Sequence, residues 1–412
     1  MRRLMIALGI GVLVCITAAG HAMELGDVAI HGFASAGYVK SSSYDYLVSS
    51  EDGSFEFNEA AVNFNASLTD DMLVGLQLYS FDLGKIGNND VELDSAFVDY
   101  RCTEWLGVKA GKFKSPYGLY TEVQDYDMLR TSILLPQSVY NRFLRESLLT
   151  LQGADINGRT PVGSLGHLQY DVFVGTFEID SDGGMAKVLA SGVGEYDDAT
   201  TEYAAGCRLK WSTPVDGLLL AATGGQFDMS YDLTRQTEIP DVGLLDLEIH
   251  NEIPQGRLYL CSAEYNKGNW TAAAEYQRIK ADVQVNTRFL NAPLMPGMRQ
   301  DNEVDYEGYY GLVSYRFNDW FEAGTYYAIF YSDADDRDGD ERLANGEFGE
   351  DYEAWQKDLA FSTRFDINEY WLVKLEFHFI DGVALARQTE IPEKGFDDEN
   401  WTLFAIKTTF NF

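Results

Sequence analysis

The segment WTLFAIKTTFNF, residues Trp401–Phe412, closes the chain and shows the pattern on which the fold assignment rests. With a period of two residues, one face of this segment is polar, and the other carries Phe404, Ile406, Thr408, Phe410 and Phe412. Such alternation predicts a β-strand with an apolar phase on one side and water on the other. An amphipathic strand also occurs at the edge of a soluble sheet, so the rest of the chain has to distinguish the two.

The first residues have the pattern of a secretory signal peptide. Arg2 and Arg3 precede an apolar run from Leu4 to Ala19, and small residues lead to Ala22. This run is short for a membrane anchor and has the flanks of a cleaved signal. We therefore predict that residues 1–22 are a signal peptide and that residues 23–412 form a single outer-membrane β-barrel domain.

The composition fits a barrel better than a helical membrane protein. Aromatic residues make up 14% of the chain, yet the mean hydropathy is −0.21. After the signal peptide, no run approaches the roughly 18 apolar residues of a membrane helix. Alternating strands hide an apolar face from such averages. The predicted mature chain has 29 basic and 65 acidic residues, so we expect no nucleic-acid partner, because phosphate would be repelled.

Alternating segments recur along the whole chain, and their number is even, as in bacterial single-chain barrels. We predict an all-β fold, a 16-stranded antiparallel transmembrane β-barrel. The predicted strands lie near 28–40, 54–68, 72–82, 92–102, 106–113, 148–158, 167–177, 203–212, 218–227, 257–265, 270–280, 307–317, 320–332, 359–365, 370–380 and 401–412.

The connections between these segments are alternately short and long. Short ones are rich in turn-forming residues, which predicts periplasmic turns, and long ones predict extracellular loops. Five tryptophans lie within two residues of a short turn and predict one interfacial rim: Trp105, Trp211, Trp270, Trp320 and Trp371. The predicted long loops are 41–53, 83–91, 114–147, 178–202, 228–256, 281–306, 333–358 and 381–400.

The segment Gly111-Lys112-Phe113-Lys114-Ser115-Pro116-Tyr117-Gly118 leaves a strand and enters the third long loop. It resembles the G-K-F-x-x-P-[FY]-G element of the phosphate-selective porin family. The resemblance implies a sixteen-stranded, trimeric porin whose third loop folds inward and narrows the channel.

Charged residues of the third loop are the candidates for this constriction. The basic residues Lys114, Arg130, Arg142 and Arg145 are balanced by Glu122, Asp125, Asp127 and Glu146. We predict that Lys114, Arg130, Arg142, Arg145, Asp125 and Asp127 line the constriction. Their balance departs from the basic cluster that phosphate selectivity requires in the resembled family.

Strand parity assigns further charges to the inner wall, where we expect them to line water. These predicted lumen-wall residues are Asp99, Arg101, Arg208, Lys210, Arg316, Arg364, Lys374 and Glu376. The long loops 178–202, 333–358 and 381–400 hold 24 acidic and six basic residues and would favour cations at the channel mouth. They could instead bind divalent ions that bridge lipopolysaccharide.

The terminal strand resembles the C-terminal signal of Gram-negative outer-membrane barrels, which implies that Phe404, Phe410 and Phe412 form an assembly signal read by the barrel assembly machinery. One hexapeptide, RQTEIP, occurs twice, at 235–240 and at 387–392, and the sequence offers no reason for it.

We therefore expect an outer-membrane porin for passive diffusion of small hydrophilic solutes and ions. Other expected partners are outer-membrane lipid, lipopolysaccharide and two further copies in a homotrimer. Alternatives are an anion (phosphate)-selective porin, a barrel enzyme or a non-conducting adhesin-like barrel. Four histidines follow the signal peptide, none in a nucleophile motif, and the cysteines lack metal-like spacing. We expect no catalytic residue, metal or cofactor.

Overall fold

The computed structural model describes residues 28–412 except 146, 148–149, 240–242, 293–295, 390 and 393. The predicted signal peptide and Glu146 therefore lie outside the described residues. Sixteen strands pair with their neighbours, all antiparallel, and the first pairs with the last to close the sheet. The predicted fold class and strand number are confirmed. The strands are β1 Val28–Ser41, β2 Phe57–Thr69, β3 Met72–Leu83, β4 Val91–Thr103, β5 Leu106–Lys114, β6 Thr150–Pro161, β7 His167–Thr176, β8 Glu195–Ser212, β9 Leu218–Ile239, β10 Gly243–Lys267, β11 Trp270–Phe289, β12 Met298–Arg316, β13 Phe321–Tyr331, β14 Trp355–Asn368, β15 Trp371–Gly382 and β16 Asn400–Asn411.

The barrel closes where the ends of the described chain meet. The backbone N–H of Gly32 donates to the carbonyl of Phe412 at 3.1 Å, and the N–H of Phe412 donates to the carbonyl of Gly32 at 3.0 Å. A side chain at position 32 would collide with the Phe412 ring, 2.5 Å from the place of a Cβ atom. Glycine is therefore the residue that lets β1 and the terminal aromatic ring pack together.

Exposure along the strands separates an inner from an outer face. In β15, Lys374 and Glu376 are buried, whereas Phe377 and Phe379 are exposed. Cys102, Cys207 and Cys261 are free and exposed, as their place on the outward apolar face requires. The five tryptophans near short turns are also exposed, between 36% and 57%. The predicted division into polar inner and apolar outer faces is therefore present in the barrel.

Two of the predicted long loops are wrong, because residues 228–239 and 243–256 continue strands β9 and β10, and most of 281–306 continues β11 and β12. β8 likewise begins within the predicted loop 178–202. In this part of β10, Leu245 and Leu247 face inward and are buried, while Asp246 and Glu248 are on the other face. The outer face is thus polar here, which is typical of a sheet with water on one side.

Short helices occur in several of the connections between strands. These are α1 Gly184–Ala190, α2 Asp340–Ala344 and α3 Ala384–Arg387, with 3₁₀ turns at Asp127–Leu129, Arg142–Leu144, Gly163–Leu165 and Asp351–Glu353. Within the described residues, no helix has the length and apolar character needed to span a membrane.

Candidate functional site

The third loop connects β5 to β6, and its described residues, 115–145 and 147, lie inside the barrel. Three wall residues from well-separated strands hold it. Glu376 of β15 accepts hydrogen bonds from the backbone N–H groups of Ile133 and Leu134 at 2.7 and 2.9 Å. Glu275 of β11 accepts from the N–H of Leu119 at 3.0 Å. Arg208 of β8 forms an ion pair with Glu122 at 2.9 Å. The loop therefore crosses the lumen from wall to wall.

Glu275 is the anchor for the first limb of the loop. Its carboxylate also accepts hydrogen bonds from the hydroxyls of Tyr140 and Ser262 at 2.5 Å and of Tyr310 at 2.7 Å. Gly118 has φ +56°, and a Cβ atom there would lie 2.5 Å from the Tyr140 hydroxyl. Only glycine fits this left-handed turn at such close approach, which explains the glycine that ends the sequence motif.

Asp127 is the centre of a first group of buried charges. Its carboxylate accepts from the Lys407 ammonium at 2.8 Å, the Thr409 hydroxyl at 2.7 Å and the Arg130 guanidinium at 3.0 Å. The Lys374 ammonium lies 3.6 Å away. Burial alone would raise the pKa of Asp127, but the charges of Lys407 and Lys374 outweigh it and hold the pKa well below its usual range.

Asp125 is the centre of a second group. It pairs with Arg145 at 2.9 Å and with Lys114 at 3.0 Å, and both cations also pair with Asp94 of β4. Burial opposes ionisation of Asp125, but Arg145 and Lys114 lower its pKa below the usual range. The Arg145 guanidinium also lies over the Tyr79 ring, 3.9 Å from its centroid, in a cation–π contact.

Glu59 of β2 links the two groups through Tyr79, whose hydroxyl donates to Glu59 at 3.1 Å and whose ring lies under Arg145. It accepts from the Lys407 ammonium at 2.6 Å and pairs with Arg142, which also donates to the Tyr79 hydroxyl at 2.9 Å. All six predicted constriction residues thus belong to one assembly, the charge network. Its members are Glu59, Asp94, Lys114, Asp125, Asp127, Arg130, Arg142, Arg145, Lys374 and Lys407.

The charge network is paired and buried. The side chains of its four loop cations are between 7% and 14% exposed. Its four carboxylates are also buried. Buried ions of this kind are held by partners on all sides, because an unpaired charge there is costly. The network therefore fixes the position of the third loop.

Strand parity did not identify Asp94 as a network member. The pairing of β3 with β4 shifts between Gln77 and Leu78, where Asp94 is an extra residue. Because of this bulge, Asp94 and Ser95 are both buried although they are neighbours in sequence. A strict period of two places only one of such a pair inside.

Five of the eight predicted lumen-wall residues contact the third loop. Arg208 and Lys210 pair with Glu122, the latter at 3.4 Å. The other three bind the backbone of the loop. Lys374 donates to the Ser132 carbonyl at 2.9 Å, and Arg364 donates to the Met128 carbonyl at 2.5 Å. Glu376 accepts from the N–H groups of Ile133 and Leu134. These residues are loop anchors, and the expectation that they simply line water is wrong.

The other three predicted wall residues are nearer the short turns. Arg316 pairs with Asp366 at 2.7 Å and with Glu322 at 3.5 Å. Asp99 stands opposite Lys109 in the pairing of β4 with β5. Arg101 is exposed. None of the three has a described contact with the third loop, so they belong to the vestibule at the short-turn end.

His378 lies beneath the loop between two acids. Its Nδ1 is 2.9 Å from Asp358 and its Nε2 is 3.1 Å from Glu376. Both ring nitrogens thus have carboxylate partners, and the side chain is 1% exposed. The arrangement supports Glu376, which in turn holds the loop backbone, so His378 acts as a positioning residue for the third loop.

The opposite side of the lumen has a different character. An apolar cavity of about 320 Å³ is lined by β6–β12, by the third loop and by α1. A second void of about 160 Å³ lies toward the short turns and is lined by Tyr120, Glu264, Arg130 and Glu322, among others. Tyr117 lines the first and Tyr120 the second, so the tyrosine-rich limb of the loop stands between them.

Comparison with known proteins identifies solved structures with the same fold. No family model and no curated protein matches the sequence. Solved structures do match: the outer-membrane channel DcaP of Acinetobacter baumannii has 12% identity and a TM-score of 0.56, over 96% of this chain and 100% of that one. An anion-selective porin of Comamonas acidovorans has 10% identity and a TM-score of 0.53, over 93% of this chain and 99% of that one. OmpF of Salmonella typhi has 12% identity and a TM-score of 0.53, over 93% of this chain and 97% of that one. The chain shares its fold with these channels.

Proposed function

We propose that this protein is a passive channel of the outer membrane through which small hydrophilic solutes and ions diffuse past the third loop. The observation that carries the proposal is the third loop itself, held across the lumen of a closed barrel by Glu275, Glu376 and Arg208. A closed barrel leaves no unpaired edge, which suits lipid. The exposed aromatic residues of its outer face and the rim of tryptophans support the same location.

The third loop would set the size limit of this channel. Solutes would pass from the larger void to the smaller one across the layer formed by Tyr117, Tyr120 and Tyr140. We retain Lys114, Arg130, Arg142, Arg145, Asp125 and Asp127 as constriction residues. Because these residues are paired, their first effect is to hold the loop, and their effect on passing ions comes through the potential of the whole network.

The pairing favours a general channel over the phosphate-selective alternative. Phosphate selectivity would require basic groups that are free to bind an anion. Among the described residues of the charge network, six cations share four carboxylates, and the loop cations are at most 14% exposed. Arg130 and Lys374 satisfy further donors with backbone carbonyls. Most of these donors are thus already occupied; the Nε–H of Arg130 is buried without a partner among the described residues.

The experiment is a recording of the purified protein in planar lipid bilayers, with the reversal potential measured across a KCl gradient. We expect discrete, stable current steps. Glu376→Ala should raise the noise and the mean step size, because it removes the acceptor for the backbone of Ile133 and Leu134. Phe379→Leu, on the outward face, is the matched control and should leave the steps unchanged. A wild-type protein that carries no current would contradict the proposal and favour an adhesin-like barrel.

The proposal also covers how the barrel is assembled and what it contacts in the outer membrane. We propose export with a cleaved signal peptide, a homotrimer, and contact of the acidic outer loops with lipopolysaccharide through divalent ions. We also propose that Phe404, Phe410 and Phe412 are read by the barrel assembly machinery. Deletion of Phe412 should leave synthesis and export intact and lower the amount of heat-modifiable barrel on gels.

A further inference from the structure

The apolar cavity lies on the side of the lumen away from the charge network. Its walls come from β6–β12, whereas the wall members of the network come from β2, β4, β5, β15 and β16. Helix α1 adds Met185 and Leu189 to the lining, and the third loop adds Tyr117 and Leu144. The cavity is therefore bounded by the barrel wall on one side and by two loops on the other, and part of its surface is open.

The lining has the chemistry of a site for an apolar molecule. None of the described residues that line the cavity is charged. The aromatic rings of Phe173, Phe177 and Phe227 and the thioether of Met229 form part of its wall, a combination that packs well against flat apolar groups. The volume of about 320 Å³ is about twice that of the roughly 150 Å³ cavity that holds benzene, and it falls within the range of small-molecule sites.

Two hydroxyl groups in this lining have no hydrogen-bond partner among the described residues. Tyr117 is 3% exposed and Thr223 is 5% exposed. The hydroxyl of each is buried and forms no hydrogen bond with any described residue. Burial, together with the charge of Glu275, raises the pKa of the Tyr117 hydroxyl, so it keeps its proton. Buried hydroxyls are normally hydrogen-bonded, because leaving them unpaired is costly.

We propose that this cavity binds an uncharged amphipathic small molecule. Its aromatic or hydrocarbon body would lie against Phe173, Phe227 and Met229, and its polar end would exchange hydrogen bonds with the hydroxyls of Tyr117 and Thr223. Among the described lining residues there is no charged side chain to pair with a carboxylate or an ammonium group, whose burial without a partner is costly. The cavity is also the larger void of the proposed solute path, but binding needs only the cavity and is measured without conduction, so the proposal goes beyond the channel function.

Three probes of matched shape test the proposal: 1-naphthol, naphthalene, which lacks the oxygen, and 1-naphthoate, which is charged. Binding is measured by equilibrium dialysis against the protein in lipid nanodiscs, with empty nanodiscs to subtract partition into lipid. We expect saturable binding that is about three- to tenfold tighter for 1-naphthol than for naphthalene, and no saturable binding of 1-naphthoate. Absence of saturable 1-naphthol binding overturns the proposal.

Substitutions of the same shape identify the site. Tyr117→Phe and Thr223→Val should each weaken 1-naphthol binding by about three- to tenfold and leave naphthalene binding unchanged. Tyr259→Phe, on the outward face, is the matched control and should change neither. Ala281→Phe should abolish binding of both probes by filling the cavity. If that variant gives no heat-modifiable barrel, Ala204→Leu, at a buried inward position of β8, fills the cavity from another wall.

Two further results would overturn the proposal. One is equal 1-naphthol affinity in the wild type and in a Tyr117→Phe, Thr223→Val double variant, since ordered water would then account for the hydroxyls. The other is binding that survives in a correctly assembled cavity-filling variant. Single-channel recordings of the same variants keep this result separate from the channel function, because binding and conduction are measured independently.

Discussion

The two sides of the lumen are filled by opposite chemistry. On one side, the charge network holds the third loop through Asp125 and Asp127, each paired with at least two cations. On the other side, β6–β12 present uncharged, mostly apolar side chains around an open volume of about 320 Å³. The barrel wall thus holds the third loop on one side of the lumen and leaves the apolar cavity on the other.

The difference follows from the directionality of the two kinds of contact. A hydrogen-bonded ion pair works at one distance and one angle, so a network of them admits one loop position. Apolar contacts have no direction and only require that surfaces meet. We infer that the charge network determines where the third loop lies and that the apolar side determines what fits beside it.

The largest effect is expected from Asp127→Ala. Removal of this carboxylate leaves Lys407, Lys374 and Arg130 buried without their shared partner, which should cost about 3–5 kcal/mol of stability. The free energy of unfolding is measured by denaturant titration in detergent, followed by tryptophan fluorescence. Asp335→Ala, whose side chain is 81% exposed, should stay within about 0.5 kcal/mol of the wild type. Equal losses in both variants would show that the network does not hold the fold.

A smaller effect is expected from Met229→Ala on the apolar side. Met229 is 1% exposed and lines the cavity. Its truncation should cost about 2–3 kcal/mol, the lower part of the range for buried methionine, because it widens a void that already exists. Met298→Ala is the control, since that side chain is 57% exposed. A loss as large as that of Asp127→Ala would contradict the contrast between the two sides.

Low pH should destabilise the charge network and the third loop but leave the apolar side of the lumen unchanged. The pKa values of Asp125 and Asp127 are lowered in the folded protein, so their contribution is complete above the unfolded pKa of about 3.9. It is lost as the pH falls from there through the lowered pKa values. The pKa of Glu122, lowered to about 2 by Arg208 and Lys210 against the effect of burial, should follow the same course.

The measurement is the susceptibility of the third loop to an acid-active protease as the pH is lowered. We expect no change between neutral pH and about pH 4, and increasing cleavage below it. The acidic outer loop around α2 serves as an internal control for general acid unfolding. Release of the third loop already at mildly acidic pH would show that its carboxylates are not stabilised as ions.

The smallest effect is expected from the exposed acids of the outer loops. Neutralising Asp335 and Asp338 should move the reversal potential only at low salt, because exposed charges are screened over about 10 Å at 0.1 M salt. Arg142→Glu should move it toward cations at every salt concentration, since Arg142 is 11% exposed and lies within the network. A larger shift from the outer acids would place the selective region at the mouth.

Much of the fold was accessible from the sequence. The sixteen strands and the faces that point outward were predicted correctly, and the five tryptophans near short turns are exposed, as a rim requires. Each depends on a pattern of period two or on a nearby turn, and both are local. The errors lie where the outer medium changes along a strand: β9–β12 extend past the apolar band, and their outward residues, such as Asp246 and Glu248, resemble those of a loop.

The candidate site was accessible only in part. The motif that ends at Gly118 led to the third loop, and all six predicted constriction residues meet in one network. Their partners were harder to find: Asp94 turns inward at a bulge, and Glu59 reaches Arg142 across the lumen. The apolar cavity has no sequence signal, because Leu258 and Phe173 differ in no local pattern from other strand residues.

The repeated hexapeptide shows that local sequence alone does not determine secondary structure. In its first copy, Gln236 and Thr237 lie in β9 and pair with Asp246 and Leu245 of β10. In its second copy, Arg387 ends helix α3 and pairs with Glu353. The same residues adopt a strand in one place and the end of a helix in the other, because the neighbouring chain supplies different partners.

The sequence by itself determined the barrel: its strand number, its inner and outer faces and the loop that carries the constriction motif. Only the tertiary structure decided what that loop binds and what space it leaves. Glu376 and Ile133, for example, are 243 residues apart in the chain and 2.7 Å apart across the lumen. Alternation along a strand depends on adjacent residues, whereas such contacts exist only after the barrel has closed and brought distant walls together.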